Sequence, residues 1–262
     1  MEQKSPAITI TKEGHRARIT FNRAERLNTL ANDLVTELRA AIQDLAQDPD
    51  IRVLIFTGAG NRAFCAGADL SERRGMSDEQ VRQTVAGLQA LTSQLAAFPR
   101  PTIAAVNGYA FGGGLEIALA CDLRYISDNA RIGLTETRLG IIPGAGGTQR
   151  LPGRIGLGRA REMIFTGRRI DATTAVKWGV CEDVFPQEQL LDRVDEIAQE
   201  IASGGPLALE QAKFAINHGI ESDIQTGLAL ERSAYNNLVP THDRVEALAA
   251  FAEKRPPKFE GR

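Results

Sequence analysis

Cysteine, histidine and tryptophan are scarce in this chain of 262 residues, with three, three and one copies. Cys65, Cys121 and Cys181 are odd in number, widely spaced and without a CxxC pair. That argues against a disulfide framework and a zinc site, and isolated thiols of this kind behave as small buried hydrophobes. His15, His218 and His242 form no ligand-like cluster, so no metal site is expected. Charge of one sign is also missing: 31 Lys and Arg against 33 Asp and Glu leave −2. Such a balance supplies no broad footprint for nucleic acid or an anionic membrane surface. No apolar run approaches the roughly 18 residues a membrane span needs. The first ten residues, MEQKSPAITI, have neither a hydrophobic signal core nor Arg/Ser-rich transit character. The expectation is a cytoplasmic protein with no membrane and no nucleic-acid partner.

What is present is ordinary globular material, 43% hydrophobic and 24% charged. That much apolar surface excludes disorder as the main state. The length suits one large domain or two modest ones. Ala7 to Phe21 alternates around Gly14 and predicts a hairpin. Leu30, Leu34, Leu38 and Leu45, with Val35, Ala41 and Ile42, have the spacing of an amphipathic helix stopped at Asp48-Pro49. Buried strands are predicted over Ile51–Thr57, Thr102–Val106 and Asp122–Ser127, with a second helix from about Asp78 to Ala97. This alternation predicts an α/β architecture. From Gln187 onward strand signals vanish and apolar residues recur at helical spacing. The division expected is an α/β core over 1–200 and a helical region over 201–262.

Three segments have the wrong composition for plain scaffold: Ala63–Leu70 (AFCAGADL), Asn107–Glu116 (NGYAFGGGLE) and Gly133–Arg150. Gly112–Gly114, between a strand and a helix, leaves backbone N–H groups uncovered where the helix dipole favours negative charge. Such a turn suits an anion, or an oxygen that becomes one during reaction. It equally suits a tight connection that needs positive φ. Glu116 stands in the first turn of an otherwise apolar stretch, where burial would shift its pKa toward acid/base use. Glu136 is its natural partner, although Thr135 or Thr137 beside it could instead mark a capping box. A dinucleotide fingerprint at Gly112–Gly114 is loose, with Asp128 only crudely in place of the ribose-binding acid. No GxSxG, HExxH or Walker A sequence occurs.

Taken in order, AFCAGADL, Pro101–Asp122 (PTIAAVNGYAFGGGLEIALACD), Gly140–Leu151 (GIIPGAGGTQRL) and Phe251–Phe259 (FAEKRPPKF) closely resemble the enoyl-CoA hydratase/isomerase, or crotonase, family. The resemblance implies an α/β spiral of ββα turns with a helical C-terminal trimerisation region, in a homotrimer or homohexamer. It implies an acyl-CoA substrate, coenzyme A being part of that substrate and no separate cofactor being needed. Ala68 and Gly113 match the two backbone N–H donors of the oxyanion hole, and Glu116 and Glu136 match the catalytic glutamates. Ala66, Asp69 and Leu70 would line the CoA side of the pocket. Phe251 and Lys254 match positions that reach the nucleotide end of CoA from a neighbouring subunit. Ser71 departs from the lysine that many hydratases carry. The implied activity is hydration of a short 2-enoyl-CoA to the 3-hydroxyacyl-CoA. Alternatives are a double-bond isomerase or a methylglutaconyl-CoA hydratase, which Phe64–Glu72, Thr135–Leu139 and Glu231–Lys258 especially resemble. Some relatives bind AU-rich RNA through a lysine-bearing helix. The corresponding stretch here, Thr29–Gln47, has Asp33, Glu37 and Asp44 but no lysine, which disfavours that reading.

Overall fold

The computed structural model of the chain describes residues 6–262. Strands β1 (Ile8–Glu13) and β2 (Arg16–Phe21) pair antiparallel as the predicted hairpin, with Gly14 at φ +54° in its turn. Helix α1 (Asn32–Gln47) buries Leu34, Leu38, Ala41, Ile42 and Leu45, the stripe its spacing dictates. Strand β3 (Val53–Gly58) is buried along its whole length because it runs between β2 and the next long strand.

Three ββα turns follow. The first is β4 (Ala63–Cys65) after β3, then α2 (Leu70–Arg73) and α3 (Asp78–Ala96). Ser77 caps α3 in a capping box with Gln80. The second is β5 (Thr102–Val106), β6 (Tyr109–Phe111) and α4 (Gly113–Ala120). The third is β7 (Leu123–Ser127), β8 (Arg131–Gly133), a 3₁₀ turn over Glu136–Leu139, and α5 (Gly147–Thr166). Gly156, at φ +77° and ψ 160°, breaks α5 into two helical stretches. Next come β9 (Ile170–Asp171), α6 (Ala172–Trp178), β10 (Asp183–Phe185) and α7 (Leu190–Ala202). Each turn sends its first strand to a six-stranded sheet ordered β1-β2-β3-β5-β7-β10. Its second strand goes to a four-stranded sheet ordered β4-β6-β8-β9. The chain is therefore the spiral of ββα turns that the motifs imply. The short strands β4, β6 and β8 and the 3₁₀ turn are not visible in the hydropathy pattern.

The main core lies between the two sheets and α1, α3, α4 and α5. A second apolar layer forms where Leu190, Val194, Ala198 and Ala202 of α7 cover Val53, Ile55, Ile103 and Ala105. Cys65, Cys121 and Cys181 are buried, and desolvation pushes each thiol up to about 12, so they pack as neutral hydrophobes. The chain ends in α8 (Pro206–Gly219), α9 (Ile224–Leu238) and α10 (His242–Glu253). Lys213 fastens α8 to the core: its Nζ donates to Arg100 O at 3.0 Å and to Asp122 Oδ2 at 2.7 Å. Otherwise these helices bury little, and Ile216, Ile220, Ile224 and Phe251 stand exposed.

Candidate active site

The site is assembled at the N-terminus of α4, where the first two ββα turns meet. After β4 the chain is clamped by the Leu27–Leu30 stretch. Ala66 N donates to Leu27 O, Leu30 N to Gly67 O and Asp69 N to Leu30 O, at 3.0, 2.8 and 3.2 Å. Asn28, fully buried at φ +55°, holds that stretch by donating to Ala59 O and Ala63 O and accepting from Arg23 N. The Ala68 N–H is left with no acceptor among the described residues. Gly113 opens α4, where an N–H has no partner one turn back. A Cβ on Gly113 would lie 3.9 Å from Ala68 N, so the two backbone groups stand side by side. Helix α4 comes this close to β4 only because Gly114 has no side chain: a Cβ there would fall 2.0 Å from Cys65 O.

The two glutamates converge on the same helix end. Gly112 N donates to Gly133 O, which ties α4 to β8 and to the turn that carries Glu136. Glu116 is 3% exposed and Glu136 9%, yet their environments differ. Glu116 Oε1 accepts hydrogen bonds from Ala145 N and Gly147 N, both at 2.8 Å. Burial raises its pKa, while those two N–H groups and the Arg150 charge pull it back. Glu136 Oε2 is buried with no hydrogen-bond partner. Burial, seconded by the Glu116 charge, pushes Glu136 up to about 7. The capping-box alternative for Glu136 fails, because Thr135 makes no side-chain cap and the Thr137 hydroxyl donates to Ile164 O.

Sequence reasoning missed the groups that hold Glu116 in place. The Thr92 hydroxyl and an Arg150 guanidinium nitrogen both donate to Ala145 O, at 2.7 and 3.1 Å. They fix the loop whose N–H groups grip the carboxylate. Arg150 ends the GIIPGAGGTQR stretch and was visible in it; Thr92, near the C-terminal end of α3, carried no signal.

The remaining expected residues fall in two places. Ala66, Asp69 and Leu70 line the clamped loop and the start of α2. The Asp69 carboxylate accepts from Ser71 N and Oγ as the cap of α2 and lies 3.7 Å from Arg26. These bonds engage it in holding the loop. Leu70 is half exposed. Phe251 and Lys254 sit on α10 and its C-cap, and no hydrogen bond or ion pair joins them to the glutamates within the chain.

The profile of enoyl-CoA hydratase/isomerase proteins matches residues 12–262. The chain is 48% identical over 248 residues to mouse mitochondrial enoyl-CoA hydratase domain-containing protein 2, covering 93% of this chain and 84% of that protein. It is 45% identical over 245 residues to human mitochondrial methylglutaconyl-CoA hydratase, covering 92% and 72%. The crystal structure of an enoyl-CoA hydratase from Bacillus anthracis superposes with a TM-score of 0.97 at 48% identity, covering 98% of this chain and 100% of that one. The chain belongs to the enoyl-CoA hydratase/isomerase family, whose members act on CoA thioesters.

Proposed function

We propose that the chain is a hydro-lyase that adds water across the 2,3 double bond of a short 2-enoyl-CoA to give the 3-hydroxyacyl-CoA. The observation that carries this reading is the unequal pair of glutamates. One is held by two backbone donors, and the other has an oxygen, Oε2, buried without a partner, near the two free backbone N–H groups. Water attacks C3 and gives a proton to the Glu116 carboxylate, while the electron pair of the double bond moves toward the thioester oxygen. The N–H groups of Ala68 and Gly113 receive that oxygen, and such donors are worth about 10²–10³ each in rate. Glu136, protonated, delivers its proton to C2; proton exchange with solvent then resets the pair. Acid and base placed in this way contribute about 10²–10⁴ each. The steps consume only water, so neither a metal nor a nicotinamide cofactor enters.

Ala66, Asp69 and Leu70 shape the wall on the CoA side, Asp69 by fixing the loop. The exposed Phe251 and Lys254 serve the nucleotide end of CoA in a neighbouring copy, within a homotrimer or homohexamer built on the apolar surface of α8–α10. The test is steady-state turnover of a panel containing crotonyl-CoA and methylglutaconyl-CoA, with and without chelator and without added NAD. Hydration that survives chelation supports the reading; loss of activity on chelation or dependence on NAD contradicts it.

A further inference from the structure

Ala145, Gly146 and Gly147 form the short loop whose N–H groups grip Glu116, and the loop is tied down from outside. Ala145 O accepts the Thr92 hydroxyl at 2.7 Å and Arg150 Nη1 at 3.1 Å. Gly146 O accepts Arg150 N at 2.8 Å and Gln149 N at 3.1 Å. Gly146 itself, at φ +103°, lies against the Arg150 guanidinium, where a Cβ would collide with Nη1. A Cβ on Gly147 would stand 3.0 Å from Glu116 Oε1, so the loop reaches the carboxylate through backbone alone.

Packing explains neither anchor. Thr92 is the one polar residue on the buried face of α3, beside Leu88, Leu91 and Leu95, and is 1% exposed. Arg150 is half-buried, yet among the described residues it makes no ion pair, and its side chain donates only to Ala145 O and Thr92 O. A guanidinium taken partly out of water needs an opposite charge nearby, and the Glu116 carboxylate, bound to the same loop, is the one at hand. The charged groups facing Glu116 are Arg150 on α5 and Glu136 on the 3₁₀ turn. The buried face of α3 and strands β4, β5 and β6 bring none, and Arg73 on α2 acts on Glu136.

The grip is one-sided. Both donors fall on Glu116 Oε1 at 2.8 Å, whereas Oε2 accepts no hydrogen bond and, unlike Glu136 Oε2, is not sealed from water. An oxygen that already accepts two N–H groups is a poor seat for a proton. A proton arriving at Glu116 therefore goes to Oε2.

We infer that Thr92 and Arg150 are positioning residues that assign the roles within the glutamate pair. They lock the Ala145–Gly147 loop onto Glu116 Oε1, which keeps Glu116 the ionised partner and leaves Oε2 to take the proton of the attacking water. The inference rests on the hydratase reading of the site and adds how this chain divides base from acid.

The test compares the wild type with Thr92→Val, Arg150→Met and the conservative Thr92→Ser, with circular dichroism and gel filtration checking fold and assembly. The acid limb of kcat/KM for crotonyl-CoA reports the group that must be ionised. Without an anchor the loop holds the carboxylate less well, and the limb moves to higher pH. In Thr92→Val and Arg150→Met the shift is about one pH unit, the order of one hydrogen bond to a charged group. Thr92→Ser keeps the hydroxyl and the wild-type limb. Arg150→Met, at a half-buried position, carries the test if Thr92→Val does not assemble. Lower stability with an unmoved limb makes the anchors structural only and overturns the inference.

Infrared difference spectra over the same pH range, with Glu116→Gln marking the Glu116 carboxyl band, read ionisation without turnover. Suppose the band titrates higher in Thr92→Val while the wild type fails to hydrate crotonyl-CoA. That result overturns the hydratase reading and leaves the clamp on Glu116. Hydration by the wild type, with limb and band both unmoved in the variants, overturns the clamp and leaves the hydratase reading.

Discussion

Gly112 lies directly against the Glu136 carboxyl: a Cβ at this position would stand 2.9 Å from Glu136 Oε1. Gly112 also has φ +51° and ψ −124°, a backbone conformation that residues with a Cβ rarely adopt. One residue thus sets both the entry into α4 and the seat of the proposed acid.

Gly112→Ala is expected to fail on both counts. Backbone strain should cost about 1–3 kcal/mol of stability, and the displaced Glu136 should lower kcat more than it raises KM. Chemical denaturation and steady-state kinetics on the same preparation check the two parts. A variant with unchanged kcat would show that Glu136 needs no fixed seat.

The two glutamates should separate when each is replaced by glutamine. Both variants lose about 10²–10⁴ in kcat if each carboxyl handles a proton. Their stabilities diverge. Glu116→Gln can turn an amide N–H toward the donors of Ala145 and Gly147, or keep only a weaker neutral acceptor, and costs about 1–3 kcal/mol. Glu136→Gln removes a carboxyl oxygen that is buried without a partner, so it is neutral or stabilising at pH 8. Denaturation midpoints decide, and a larger loss for Glu136→Gln would contradict the environments described above.

The pH dependence has a definite sign. Glu136 titrates at about 7 in the folded chain against 4.5 as its ordinary value. Its contribution to stability is therefore fully present below about pH 4.5 and is lost as pH rises through about 7. Wild-type stability relative to Glu136→Gln should fall across that window and then level off. On the chemical side, kcat should decline above about pH 7 as the acid ionises, with the apparent value belonging to the Glu116–Glu136 pair. A flat stability difference between pH 4.5 and 7 would overturn the assignment of the raised pKa to Glu136.

Gly113→Pro tests the backbone donor. Gly113 is the first residue of α4, where proline is compatible with the helix, but its ring carbon replaces the amide hydrogen. The donor is thus removed and its site partly filled, and circular dichroism and gel filtration must show that the turn and the assembly survive. The Leu30 side chain must yield slightly, since a Cβ would come within 3.0 Å of its Cδ1. A folded variant should lose about 10²–10³ in kcat. Retention of nearly full activity would return this turn to a purely structural role.

Much of this architecture is legible in the sequence because its long elements are written in periodicity. The Leu34–Leu38–Leu45 stripe of α1 and the predominantly apolar runs of β3 and β5 need no tertiary information. Strands β4, β6 and β8 have three residues each, too few for an alternation to show. They become strands only by pairing with one another. The break in α5 rests on one glycine φ, at Gly156, inside an otherwise continuous helical stretch. At the site, Glu116 stood out because its neighbours are apolar. Glu136 was ambiguous, since Thr135 and Thr137 offered a local cap that the fold does not use. Thr92 was silent: a threonine on a helix looks the same whether it faces solvent or a buried loop.

The most direct test follows the product in ¹⁸O-labelled water. Crotonyl-CoA is incubated with the wild type and with Glu136→Gln, and the thioesters are analysed by mass spectrometry. The account predicts that the wild type forms a product heavier by one labelled water, with the label at C3, and that Glu136→Gln forms it about 10²–10⁴ times more slowly. A product of unchanged mass with a shifted double bond, or labelling by Glu136→Gln at the wild-type rate, would contradict it.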